Sequence, residues 1–260
     1  MSINQNYVFC RSKLGQVYAR AAYRAYFAGW DPQTWLQRAG ENLTVAQKQN
    51  AGLDAEQGAA LAHIVEASVL VQGKQDARPA LLAVKEDLAR CFRMAPNDAT
   101  CRAHAVEAEW VTADALAGQG KPFVAVLQGA LEKARLAAQS PEKLPEARWV
   151  LAESHLRHAR ALATPRVAGP ADSRLRDAHI GDGLAATEQV FAINPNHAQG
   201  LATQGALYLL RAQTTRERAA QTQAALAAAQ ALDRALQNDP LLSHRYAPLL
   251  AQARSLGASP

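Results

Sequence analysis

Apolar and small residues fall along this chain at helical spacing, and no run alternates polar and apolar long enough for a strand. The helices are broken at turns that resemble one another. "FAINPNHAQG" is one such seam, with Pro195 at its centre, and Pro96, Pro141 and Pro240 stand in others, while Ala51 takes the place of proline in "AQKQNAGLDA". These markers at 51, 96, 141, 195 and 240 are separated by 45, 45, 54 and 45 residues. Twelve positions before each stands Ala39, Val84, Gly129, Gly183 or Ala228, and five positions before stands Ala46, Cys91, Leu136, Val190 or Ala235. Small residues let two helix backbones approach and the apolar ones seal the contact. Proline cannot continue a helix and fits its first turn, and Asn97, Asn194, Asn196 and Asp239 are turn and cap residues. The pattern predicts an all-α chain of 1–260 forming a single domain of about five antiparallel helix pairs. They are expected near 3–50, 54–94, 97–139, 142–193 and 196–238, with a capping helix at 240–255. The longest unit carries its extra residues in the loop "TPRVAGPADS".

Composition agrees with this picture. Apolar residues make up 49% and aromatics 6%, so the core must be built of small side chains. Three cysteines, Cys10, Cys91 and Cys101, are too few for a disulfide framework and fit a reducing compartment. Buried cysteine packs as a small hydrophobe, which is the expectation for Cys91 and Cys101. With no signal-peptide pattern at the start and no long apolar run, the cytoplasm is the expected location. The net charge of +5 is mild, with basic clusters at 165–176 and 211–218 in expected turns. Nucleic-acid binding calls for a denser basic stripe.

The sequence resembles the tetratricopeptide repeat, whose pattern is W-x₂-L-G-x₂-Y…A-x₃-F…P. Leu14, Gly15 and Tyr18 match it in the first unit, and Gly205 and Tyr208 in the fifth. Ala39 with Leu43, and Ala228 with Leu232, match its second helix. The family period is about 34 residues, and here the commonest spacing is 45, the excess of about three helical turns lying between the two motif halves. The middle units depart, with Glu109 and Ser154 at the Tyr position and Lys133 and Thr187 at the large apolar one. The stretches "FAGWDPQTWLQRAGENLTVAQ" and "AINPNHAQGLATQGALYLLRAQ" also resemble helical arrays that follow the catalytic domain of some bacterial Ser/Thr protein kinases. The chain has no Gly-rich phosphate loop, H-R-D or D-F-G of its own.

The resemblance implies a right-handed α-solenoid whose first helices line a concave groove for a peptide or partner protein. It places Lys13, Gln16 and Arg20 in that groove from the first unit, His104, Glu107 and Trp110 from the third, and Arg148, Trp149 and His155 from the fourth. Aromatics with Arg make effective contact anchors. A chaperone-tail carboxylate clamp is not expected, because only Lys13 fits it and the second unit offers Ala55, Gly58, Ala59 and Ala62. The expected function is a non-enzymatic scaffold for proteins or peptides, associated with signalling and with a Ser/Thr kinase complex as one partner, and needing no cofactor. The alternative is a nucleic-acid-binding or nucleotide-responsive protein that uses the basic loop 165–176. His155 and His158, with Glu153 near, have a spacing that suits a metal, but no third ligand is evident. His104 and Glu107 share a face without a visible cleft for acid–base chemistry. Gly118 and Gly120 follow a helix and end it.

Overall fold

The computed structural model describes residues 5–49, 52–164 and 172–258. It is all-α, with no strand among the described residues, and no helix there is long and apolar enough to cross a membrane. The expected marker Ala51 and most of the loop 165–176, namely 165–171, lie outside the described residues.

The chain divides into two compact units, 1–126 and 127–260. The first holds α1 (Gln5–Phe27), α2 (Gln33–Lys48), α3 (Leu53–Gln72), α4 (Arg78–Met94) and α5 (Ala99–Gly118). Helix α6 (Val124–Ala138) runs across the division. The second unit continues with α7 (Pro145–Ala163), α8 (Asp172–Phe191), α9 (Ala198–Thr214) and α10 (Arg218–Asn238), then a 3₁₀ turn (Pro240–Leu242) and α11 (Ser243–Ala258). Helix ends fall within a few residues of those expected from the seams.

In the first unit α1 packs on α2 and α3 on α4, while α1, α3 and α5 form a row of first helices. In the second unit α7 packs on α8 and α9 on α10, and α9 touches both α7 and α11. Alanines make these contacts close: Ala39, Ala46, Ala228 and Ala235 are all fully buried. At the first motif position, a β-carbon on Gly15 would stand 2.5 Å from Leu43 Cγ, and one on Gly205 would stand 2.6 Å from Leu232 Cγ. The same contact thus recurs in both units: glycine on the first helix against leucine on the second.

Helix α6 does not bury the residues expected of it. Leu136, expected at a sealed contact, is 54% exposed, and a β-carbon on Gly129 would meet nothing within 4 Å. Their neighbours Ala130 and Ala137 are the buried ones, so α6 is turned by one residue.

The seams also differ in chemistry from the expectation. Pro96 and Pro195 lie in the turns, ahead of the residues that cap the next helix. Asp98 caps α5 by accepting from the Cys101 amide at 2.7 Å, and His197 caps α9 through Nδ1, which accepts from the Gly200 amide at 3.0 Å. Asn194 Oδ1 closes its turn on the Asn196 amide at 3.1 Å. Pro141 precedes α7, which starts at Pro145.

Candidate functional site

The row α1–α3–α5 carries six of the nine expected contact residues. Lys13 Nζ pairs with Asp54 at 2.5 Å, and the Gln16 amide donates to the same carboxylate at 3.3 Å. Gly58 on α3 leaves room for Gln16, whose Cγ would be 3.0 Å from a β-carbon there. Arg20, one turn beyond Gln16, is exposed. Next on this face, the Tyr23 hydroxyl reaches past α3 and donates to Glu107 Oε1 at 3.1 Å. His104 Nδ1 lies 2.9 Å from Glu107 Oε2, so the buried Glu107 is held from both sides. Trp110 is only 4% exposed and belongs to the interior. The first unit therefore presents Lys13, Gln16 and Arg20 as accessible polar groups, with His104 half-buried behind them.

A second polar cluster in this unit was not foreseen. Asp87 on α4 is buried and receives Gln47 from α2 at 3.2 Å, His63 Nδ1 from α3 at 2.6 Å, and Arg90. Arg90 also donates to Glu56 at 2.8 Å, and Gln47 donates to Glu56 at 2.8 Å. Burial acts to lower the pKa of His63, but the hydrogen bond and charge of Asp87 prevail and raise it. The set draws on α2, α3 and α4, and only Asp87–Arg90 lies at local spacing on one helix, so spacing alone could not have announced the rest.

In the second unit Arg148 is half-buried, and its Nη1 is buried with no hydrogen-bond partner among the described residues. Trp149 is 5% exposed and works inward, as a strut, where a surface anchor was expected. Its indole N–H donates to Thr203 Oγ1 on α9 at 3.0 Å, and Thr203 donates to Glu153 at 3.0 Å. Arg157 Nε stands 3.2 Å from the other oxygen of Glu153. Tyr246, buried on α11, has its hydroxyl pKa pushed up to about 12 by burial, with the Glu153 charge adding to it.

His155 is likewise buried, and it faces α8. Its Nδ1 lies 3.1 Å from Nδ1 of His179, and the His158 ring stacks on His179 with centroids 4.8 Å apart. Burial, then the neighbouring His179, lowers the pKa of both His155 and His158 to about 4. The third imidazole that the α7 spacing lacked therefore comes from 24 residues away.

Cys91 and Cys101, expected as two unpaired thiols, are joined as a disulfide between the end of α4 and the start of α5, with Cα atoms 6.4 Å apart. Asp98 lies within 4.8 Å of both sulfurs, but the bond leaves them no thiolate to offer an ion, and the carboxylate caps α5. Cys10 is free and exposed. Of the basic loop, the described part shows Arg174 exposed and Arg176 paired with Asp177 at 2.8 Å.

No protein-family model matches the chain, and no curated protein matches it in sequence.

Proposed function

We propose that this protein is a non-enzymatic scaffold that binds a protein or peptide segment along the face of α1, α3 and α5. The observation that carries the reading is the row of first helices, on which Lys13, Gln16 and Arg20 stand accessible and Asp54 and Glu107 are already paired. Such a row offers hydrogen bonds and, in Arg20, a cation with no acidic partner among the described residues, which suits an extended segment bearing an acidic residue. On the resemblance given above, the finer form is a right-handed tetratricopeptide-like solenoid of five helix pairs in a bacterial signalling assembly, with a Ser/Thr kinase complex as a candidate partner. The Cys91–Cys101 disulfide argues against the reducing cytoplasm expected from the sequence. Trp110 and Trp149 have no part in this contact, because both are interior.

Affinity capture from an extract, followed by binding of the identified segment to purified native and Arg20→Glu chains, tests the reading. Charge reversal at this exposed position is expected to weaken binding about tenfold or more, equivalent to at least ~1.4 kcal/mol, with the melting temperature unchanged. Undiminished binding would remove the α1 face from the proposal. Capture of nucleic acid alone, with steep salt dependence, would replace it by the basic-loop reading.

A further inference from the structure

We propose that His155, His158 and His179 form a binding site for a transition-metal dication of the zinc class, built between α7 and α8. The geometry that carries this is the approach of His155 Nδ1 to His179 Nδ1 at 3.1 Å. Two nitrogens each bound at about 2.0–2.1 Å to a tetrahedral zinc ion stand about 3.3 Å apart, so these two already have nearly the bite of the ion.

The helix packing fixes that approach. Gly183 lies one turn beyond His179 on α8, and a β-carbon there would stand 3.1 Å from His155 Cβ and 3.0 Å from a Leu207 methyl. Glycine thus lets the α8 backbone come down on α7 at the level of the histidines. Any larger residue would push His155 and His179 apart.

His158 supplies the third donor. It is 4% exposed, and its Nε2 is buried without a hydrogen-bond partner among the described residues. A desolvated ring nitrogen with no partner is unfavourable, and ligation relieves it. In the metal-free arrangement its ring is 13° from parallel with His179, so the lone pairs of those two rings do not converge. Turning His158 about its side-chain torsions brings it to the ion.

The chemistry of the donors selects the class. Three imidazoles suit zinc, cobalt, nickel or copper and are poor ligands for calcium or magnesium. Burial keeps His155 and His158 neutral near pH 7, so each retains a lone pair. The proton that one Nδ1 lends the other in the metal-free pair moves to Nε2 of its own ring, and no net proton need leave. Asp182, exposed one turn beyond His179, adds favourable charge, while Arg135 opposes it. His179 is only partly buried and gives the ion its way in.

Equilibrium dialysis of the chelator-treated full chain against Zn²⁺, with Co²⁺ as a visible-absorption probe, tests this. One ion per chain is expected, with a four-coordinate cobalt spectrum and shifts of the ring protons of all three histidines. His155→Gln, His158→Gln and His179→Gln should each weaken uptake more than about tenfold, the scale of disturbing a metal site. Circular dichroism establishes that each variant is folded, and the partly exposed His179→Gln is the least disruptive of them. His244→Gln, at an exposed position on α11, and the Cys91→Ser/Cys101→Ser pair should bind as the native chain does. Absence of stoichiometric uptake overturns the site, as does uptake that survives His155→Gln or His158→Gln, or that is lost with the cysteines.

Discussion

A β-carbon added at position 205 would come within 3.0 Å of Leu232 Cδ2 and 3.1 Å of the Ala228 carbonyl, which is backbone and cannot move aside. Gly205→Ala is therefore expected to destabilise the fold by about 1–3 kcal/mol, the cost of overpacking a helix contact. Gly40, on the exposed side of α2, meets nothing within 4 Å, and Gly40→Ala should stabilise by about 0.5–1 kcal/mol through helix propensity alone. Urea midpoints of the two variants moving in opposite directions would confirm the contact, and two equal shifts would refute it. Titration gives a second residue-scale test. The pKa of His63 is raised, because Asp87 outweighs the cost of burial. Its stabilisation is present in full below the unfolded value of about 6.5 and is lost as pH rises through the folded value. His197 runs the other way. Burial lowers its pKa, and its Nδ1 must stay unprotonated to cap α9, so its contribution is present above about 6.5 and lost as pH falls through the folded value. Stability measured against pH should lose its alkaline slope in His63→Gln. Its acid slope should shrink in His197→Asn, which keeps a capping group but does not titrate.

Between helices, the disulfide Cys91–Cys101 ties the end of α4 to the start of α5 and closes a short loop. Alkylation without reductant should modify Cys10 alone, and all three cysteines after reduction and unfolding. Cys91→Ser/Cys101→Ser should lower stability by about 2–3 kcal/mol on the chain-entropy account. Alkylation of three thiols in the untreated chain would show the pair to be open. The helix boundaries were legible in the sequence because turns need particular residues, such as Asn194 and Asn97, next to a proline. The register of α6 was not. In "VLQGALEKARLAA" small residues stand at so many positions that Gly129 and Leu136 fit a contact stripe as well as Ala130 and Ala137 do. The candidate sites were less legible still. His104 and Glu107 share one helix, and their contact follows from spacing. By contrast Trp149–Thr203, His63–Asp87 and His155–His179 join different helices, and only the packing decides which faces meet.

Across each unit the stability of a helix should depend on how many neighbours cover it. In the first unit α3 lies among α1, α2, α4 and α5, whereas α1 packs on α2 and α3 and leaves Tyr7, Phe9, Leu14 and Val17 exposed. In the second unit α9 lies among α7, α8, α10 and α11, while α11 touches α9 and α10. A helix with fewer covering neighbours has fewer buried contacts to lose and opens at lower free energy. Pro248 inside α11 weakens it further, because it lacks the amide that an interior helical position donates. Hydrogen exchange followed by mass spectrometry should find α1 and α11 exchanging well ahead of α3 and α9. Gly205→Ala loosens the contact of α9 with α10 and should accelerate α10 before it affects α3. Uniform protection through all the helices of a unit would mean that the unit opens as one block, and the neighbour-coupled account would then fail for it. A gradient running outward from α3 and from α9 would instead show that α1 can open without unfolding the helices behind it, as the proposed binding of a segment along its face requires.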